Sequence, residues 1–162
     1  MTFPDLISFL DFVRVRSLGT LDTIAAMPNP QAVLAWRPAP GRAHAAWQLM
    51  HLGATEDRHL TIRMKLEESA ANPEYVRRFA GGSTVDDTIP TVAEIRSYLA
   101  ERRAALVEFL HTLAPEMVGI KPSDKAYGPY GEWLKLLAWH EAHHQGQLHI
   151  TLNMYKAAHP AA

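Results

Sequence analysis

Apolar residues recur along this chain at intervals of three and four through four long stretches, and nowhere do they alternate for long enough to make a strand. The best β-branched runs, Ser83-Thr84-Val85 and Ile89-Pro90-Thr91-Val92, are short and interrupted by Asp and Pro. That pattern restricts the chain to helices packed on helices. In the first stretch Leu6, Phe9, Leu10, Val13, Leu18 and Leu21 lie between Thr2-Phe3-Pro4 and Pro28-Asn29-Pro30, which predicts a helix over about residues 4–26. The second follows Arg37-Pro38-Ala39-Pro40-Gly41. Its Trp47, Leu49, Met50, Leu52, Leu60, Ile62 and Met64 predict a helix over about 43–67.

Asn72-Pro73 has the form of an N-cap with proline in the first turn, so Tyr75, Val76 and Phe79 should form a short connecting helix that ends at Gly81-Gly82. Thr91-Val92-Ala93-Glu94 has capping-box spacing and opens a third long helix, with Ile95, Leu99, Leu106, Phe109 and Leu110 as its stripe, running to about His111. A Pro/Gly-rich connection from Pro115 to Gly131 precedes the fourth, from Glu132 to about Lys156, which carries Trp133, Leu136, Leu137, Leu148, Ile150, Leu152 and Met154. The long connections call for an all-α four-helix bundle with a crossover rather than an up-down meander. At 162 residues the expectation is one domain spanning 1–162.

Cysteine is absent, which removes disulfides, thiolate nucleophiles and Cys-based metal sites. The pI is near 6.8 and opposite charges are interleaved, so nucleic acid and anionic membranes are not expected as partners. The start Met1-Thr2-Phe3-Pro4-Asp5 is unlike a secretory signal, and no apolar run approaches the roughly 18 residues of a membrane span. A cytoplasmic location is the resulting expectation.

The chain has 9 histidines, and four of them fall between Trp139 and Ile150. His140 and His144 stand one helical turn apart on a common face and can chelate one ion. With Leu136, Leu137 and Leu148 near that face, the pair should point inward, where unpartnered imidazoles would be costly. On the second helix His51, among Trp47, Met50 and Leu52, is the best third ligand. His44 reads as a capping or surface residue and His59, among Asp57, Arg58 and Thr61, as solvated. His143 points about 100° from His144, towards the surface or a supporting position. His111, His149 and His159 read as ordinary surface residues.

The segments Ala43-His44-Ala45-Ala46-Trp47-Gln48-Leu49-Met50-His51-Leu52 and His140-Glu141-Ala142-His143-His144-Gln145-Gly146-Gln147-Leu148 together resemble the two signature regions of the DinB-like (DNA-damage-inducible, YfiT-type) metal-dependent enzymes. Helix number, order and length extend the resemblance over essentially the whole chain. It implies one divalent ion on His51, His140 and His144, a homodimer, and activity as a hydrolase or as a transferase using a low-molecular-weight thiol such as bacillithiol, mycothiol or glutathione. Two departures stand out: Gln145 where the family often has Arg, and His44 where it often has a small hydroxyl residue.

His140-Glu141-Ala142-His143-His144 also satisfies H-E-x-x-H, but no Asp or Glu follows Glu141, and Gln147 and Ile150 stand where the extended motif needs Gly and His. A metalloprotease is therefore disfavoured. A di-iron oxidase is disfavoured too, because the set of Glu-x-x-His pairs such bundles need is incomplete, with Glu141-x-x-His144 the only plausible one.

Three neutral imidazoles leave an ion at least one open position, which suits a small-molecule substrate. Such donors favour zinc or nickel, with iron, manganese or copper as alternatives. Glu141 and Glu56 are the candidate general bases, set against the alternative of ordinary surface charges. Gln147 and His143 are candidate supports around the ligands, and Gly146 could admit a neighbouring helix closely. The competing functional class is a non-catalytic helical dimer whose metal is structural or absent.

Overall fold

Thr2 caps the first helix: its hydroxyl accepts from the Asp5 amide and the Asp5 carboxylate accepts in return from the Thr2 amide at 2.8 Å. The computed structural model describes residues 1–160, and this helix, α1, spans Phe3–Ala25. The Pro-rich stretch after it contains α2 (Pro30–Ala35), capped by the Asn29 side chain on the Ala32 amide. Apolar spacing alone marks that stretch only as a boundary. The second long helix is α3 (Ala45–Arg58), continuing as a π-helical turn from His59 to Met64.

Next come α4 (Pro73–Phe79), α5 (Val92–His111), a 3₁₀ turn at Pro115–Gly119, and α6 (Tyr130–Ala158). Asn72 caps α4 and the Thr91–Glu94 box caps α5, as the sequence predicts. Among the described residues there is no strand.

The four long helices form the bundle, with α1 along α6 and α3 against both α5 and α6. Gly53 lets α5 come close to α3: a Cβ there would fall 2.6 Å from the Tyr98 ring. Gly146, by contrast, has open space around it, so the close helix approach expected there does not occur. Phe9, Leu136, Ile150 and Met154, read as stripe positions, are exposed instead.

The apolar interior falls into two clusters. One gathers Leu21, Ile24, Leu49, Leu52, Leu99, Leu148 and their neighbours, and the other Leu6, Leu10, Leu60, Leu106, Leu134 and Leu137 with theirs. Between them lies a layer of charge. Arg14 donates through Nε to Glu141 at 2.7 Å and through Nη2 to Glu56 at 2.6 Å, while Arg103 donates to Glu56 at 2.7 Å and to Glu141 at 3.0 Å. Arg14 also reaches the Leu99 carbonyl and Arg103 reaches Asp11.

All four members of this ring are buried, and each comes from a different helix of the bundle. Burial alone would raise the Glu56 pKa, but the adjacent guanidinium groups of Arg14 and Arg103 outweigh it and hold the carboxyl below its ordinary value. The same carboxylates hold Arg14 charged against its own desolvation.

Removing one partner of a buried ion pair leaves an uncompensated charge in a poorly solvated place. Arg103→Met should therefore lower unfolding stability by about 3–5 kcal/mol, as read from urea denaturation. A loss below about 1 kcal/mol would show that water or rearrangement already relieves the layer.

Candidate metal centre

The α3 helix starts where it does because His44 caps it. Its Nδ1 accepts from the Trp47 amide at 3.0 Å, so Nε2 carries the hydrogen and donates to the Asp86 carbonyl at 3.1 Å. His44 is thus a buried cap rather than a surface residue. One turn further on, the Trp47 ring stacks on His51 with centroids 4.7 Å apart.

The end of α4 fixes the His51 ring. The Phe79 carbonyl, left without a helical donor at the terminus, lies 2.5 Å from His51 Nδ1. A carbonyl only accepts, so Nδ1 carries the hydrogen and Nε2 keeps its lone pair. This is the arrangement by which proteins orient a metal-binding imidazole.

Glu141 takes the inward face of α6, which leaves His140 and His144 on the edge facing α3. They are half-buried, so the expected inward pair is corrected to one lining the α3–α6 groove. His140 Nε2 lies 3.0 Å from His51 Nε2, and one ligand atom from each of His51, His140 and His144 can be chosen so that all lie within 4.8 Å of one another. Two nitrogens about 2.0–2.1 Å from one ion stand roughly 3 Å apart, so the His51–His140 spacing suits a shared cation. The His144 Nδ1 is buried with no hydrogen-bond partner. Without an ion, His51 Nε2 accepts from His140 Nε2–H and only the His144 nitrogen lacks a partner; a divalent cation would take up the lone pairs of all three rings.

All three imidazoles are held neutral. Desolvation lowers the His51 pKa below its ordinary value. Desolvation, together with His144 and His51 as like-charged neighbours, lowers that of His140 to about 3. Desolvation and then His51 and His143 lower that of His144 to about 4. Neutral imidazole is the form that binds metal.

The other candidates fall in different places. Glu56 and Glu141 belong to the buried charge layer, so the surface-charge alternative is corrected, and both carboxylates are occupied by guanidinium groups rather than facing the imidazoles. No carboxylate hydrogen-bonds to an imidazole of the trio among the described residues. His143 is exposed, stacks on Trp139 and accepts from the Gln147 amide at 2.9 Å, so these two residues interact with each other beside the site. His59 is not solvated as expected: it is half-buried, donates to the Thr55 carbonyl at 2.8 Å and packs edge-on against Trp133.

Helices in a four-helix bundle here bring three neutral histidines together in an arrangement that could hold one metal ion. The sequence model of the DinB superfamily matches residues 10–148, and the chain belongs to that superfamily. Comparison with curated proteins and with solved structures gave no match.

The low imidazole pKa values set a pH dependence. Below about pH 6.5 the unfolded chain protonates these histidines, while His140 and His144 in the fold stay neutral until about pH 3 and about pH 4. Metal-free protein should therefore lose stability as pH falls from about 6.5 towards 4. Comparing urea midpoints at pH 7 and pH 5 in EDTA should show a smaller drop for His140→Asn/His144→Asn than for wild type. Equal drops would mean that the pair titrates normally in the fold.

Proposed function

We propose that the protein is a metal-dependent enzyme acting on a small molecule, with His51, His140 and His144 holding one divalent ion, zinc or nickel first. The observation that carries this reading is the convergence of three neutral imidazoles, one pre-oriented by the Phe79 carbonyl and one with a buried unpartnered nitrogen. Three protein ligands leave a coordination position free, as catalytic rather than structural sites do. A divalent ion bound there supplies a Lewis acid, which favours the anionic, nucleophilic form of a water or a thiol at neutral pH.

Between hydrolysis and transfer to a low-molecular-weight thiol, the surroundings favour the thiol. Both nearby glutamates are committed to arginines, so a water nucleophile would have no free carboxylate base there. A thiol, with an ordinary pKa near 8.5, needs far less help to ionise. The protein's own part is to hold the imidazoles neutral, keep the His51 ring in register through α4, and leave the groove side open for substrate.

Protein purified without an affinity tag should carry about one equivalent of metal per chain. Mass spectrometry should show that metal lost in His140→Ala/His144→Ala and in His51→Ala. Loaded wild type should then conjugate a chlorinated aromatic electrophile to one of a panel of thiols faster than it hydrolyses activated esters. Absence of metal after incubation with zinc and with nickel would leave a helical binding module without catalysis.

We also propose a homodimer formed through the outer face shared by α1 and α6, where Phe12 is 55% and Val15 66% exposed beside a groove of about 770 Å³. Light scattering on wild type should give the mass of two chains, and Phe12→Glu/Val15→Glu that of one. A monomeric wild type would overturn the assembly without touching the metal reading.

A further inference from the structure

The π-helical turn that continues α3 borders a concavity against α6, the helix that carries His140 and His144. The turn's amides bond beyond the usual α-helical reach, Lys65 to the Leu60 carbonyl and Glu67 to that of Thr61, both at 2.9 Å. The turn breaks at Leu66, a bulky residue held at φ +60°, in a left-handed conformation that such side chains rarely adopt. The resulting pocket has a volume of about 400 Å³, with Leu66 on its lining.

The polar lining of this pocket is mostly one-sided. Arg58, Arg63 and Lys125 contribute three cations, and no Asp or Glu lines it. None of the three cations has an ion-pair or side-chain hydrogen-bond partner among the described residues, whereas the nearby Lys65 and Lys135 are paired with Glu67 and Glu132. The Trp133 indole is 92% buried in the wall, and its N–H has no acceptor. Tyr127, exposed, meets the edge of that indole with centroids 5.9 Å apart, and His59 packs on it at 5.1 Å. The pocket thus offers unpaired positive charge beside flat apolar surface, with no acidic group to balance it.

The geometry points to a binding site for a small organic oxyanion, a carboxylate or phosphate carried on a flat apolar body. Planar guanidinium groups suit such oxyanions, and aromatic walls suit a ring or a conjugated chain. The site stands apart from the histidines but borders the same helices: Trp133 lies two turns before His140 on α6, and His59, at the start of the π turn that continues α3, two turns after His51. The binding itself needs no metal. That the oxyanion is the substrate, held by its charged end while its other end reaches the histidines, rests on the enzyme reading above.

Isothermal titration with 1-naphthoate, 1-naphthyl phosphate and uncharged 1-naphthalenemethanol tests the site on metal-free protein. One or both anions should bind while the alcohol does not, and the stronger of the two decides between carboxylate and phosphate. The Trp133 indole N–H resonance, identified by its absence in Trp133→Phe, should shift on titration. Arg58→Ala/Arg63→Ala replaces two exposed residues and should weaken binding roughly tenfold or more with thermal unfolding unchanged. His140→Ala/His144→Ala should lose metal and keep the anion.

Three results would overturn the proposal: no anion binding at millimolar concentration, equal affinity in the double arginine variant, or loss of anion binding in the histidine variant. Metal binding that fails while naphthoate still binds would remove the enzyme reading and leave this site standing.

Discussion

Two arginines and two glutamates shut away from water hold this bundle in one register. Charges that deep are tolerable only if each meets its opposite, and Arg14, Glu56, Arg103 and Glu141 do so in a closed ring that takes one residue from each long helix. Apolar packing above and below would accept a slide of one helix along another far more readily than this ring, whose donors and acceptors match in one alignment. The two leucine-rich clusters are therefore separate bodies joined by a polar layer, which defines the rotation and height of α1, α3, α5 and α6.

The histidine site inherits its geometry from that layer. Because Glu141 must face the ring, its neighbour His140 is turned about 100° away, and His144 follows one turn later on the same edge. Glu56 fixes α3 in the same way and leaves His51 on the side facing α6. A second constraint then comes from outside the four long helices, since the short α4 ends with its Phe79 carbonyl on the His51 ring. Neutral imidazoles at the groove edge are the outcome of both.

Much of this was legible in the sequence. The four long helices, their order, the Asn72 and Thr91 caps and the His140–His144 pair follow from spacing, because an amphipathic stripe and an i, i+4 pair are local properties, whereas joining His51 to that pair drew also on the family resemblance. The role of Glu56 and Glu141 was missed, although a signal was present. Glu56 stands one turn from Leu52 and Leu60, Glu141 one turn from Leu137, Arg14 one turn from Leu10, and Arg103 one turn from Leu99. A charge on an apolar stripe is a sign of burial with a partner, and two of each sign is a sign of a ring. Nothing local could reveal that Phe79 would reach His51, that His59 would tuck against Trp133, or that α3 would end in a π turn. Those depend on how separate segments meet.

The ring also constrains how such a sequence can drift. Its charges sum to zero, and any single replacement of an arginine or a glutamate leaves an odd charge where none can be solvated. The four positions are thus coupled across 127 residues of chain, from Arg14 to Glu141. Changes should survive only as compensated pairs, such as a glutamate and an arginine exchanged together for apolar residues. Relatives would then divide into those that keep the whole quartet and those that have lost an opposite-charge pair of it, with few stranded between.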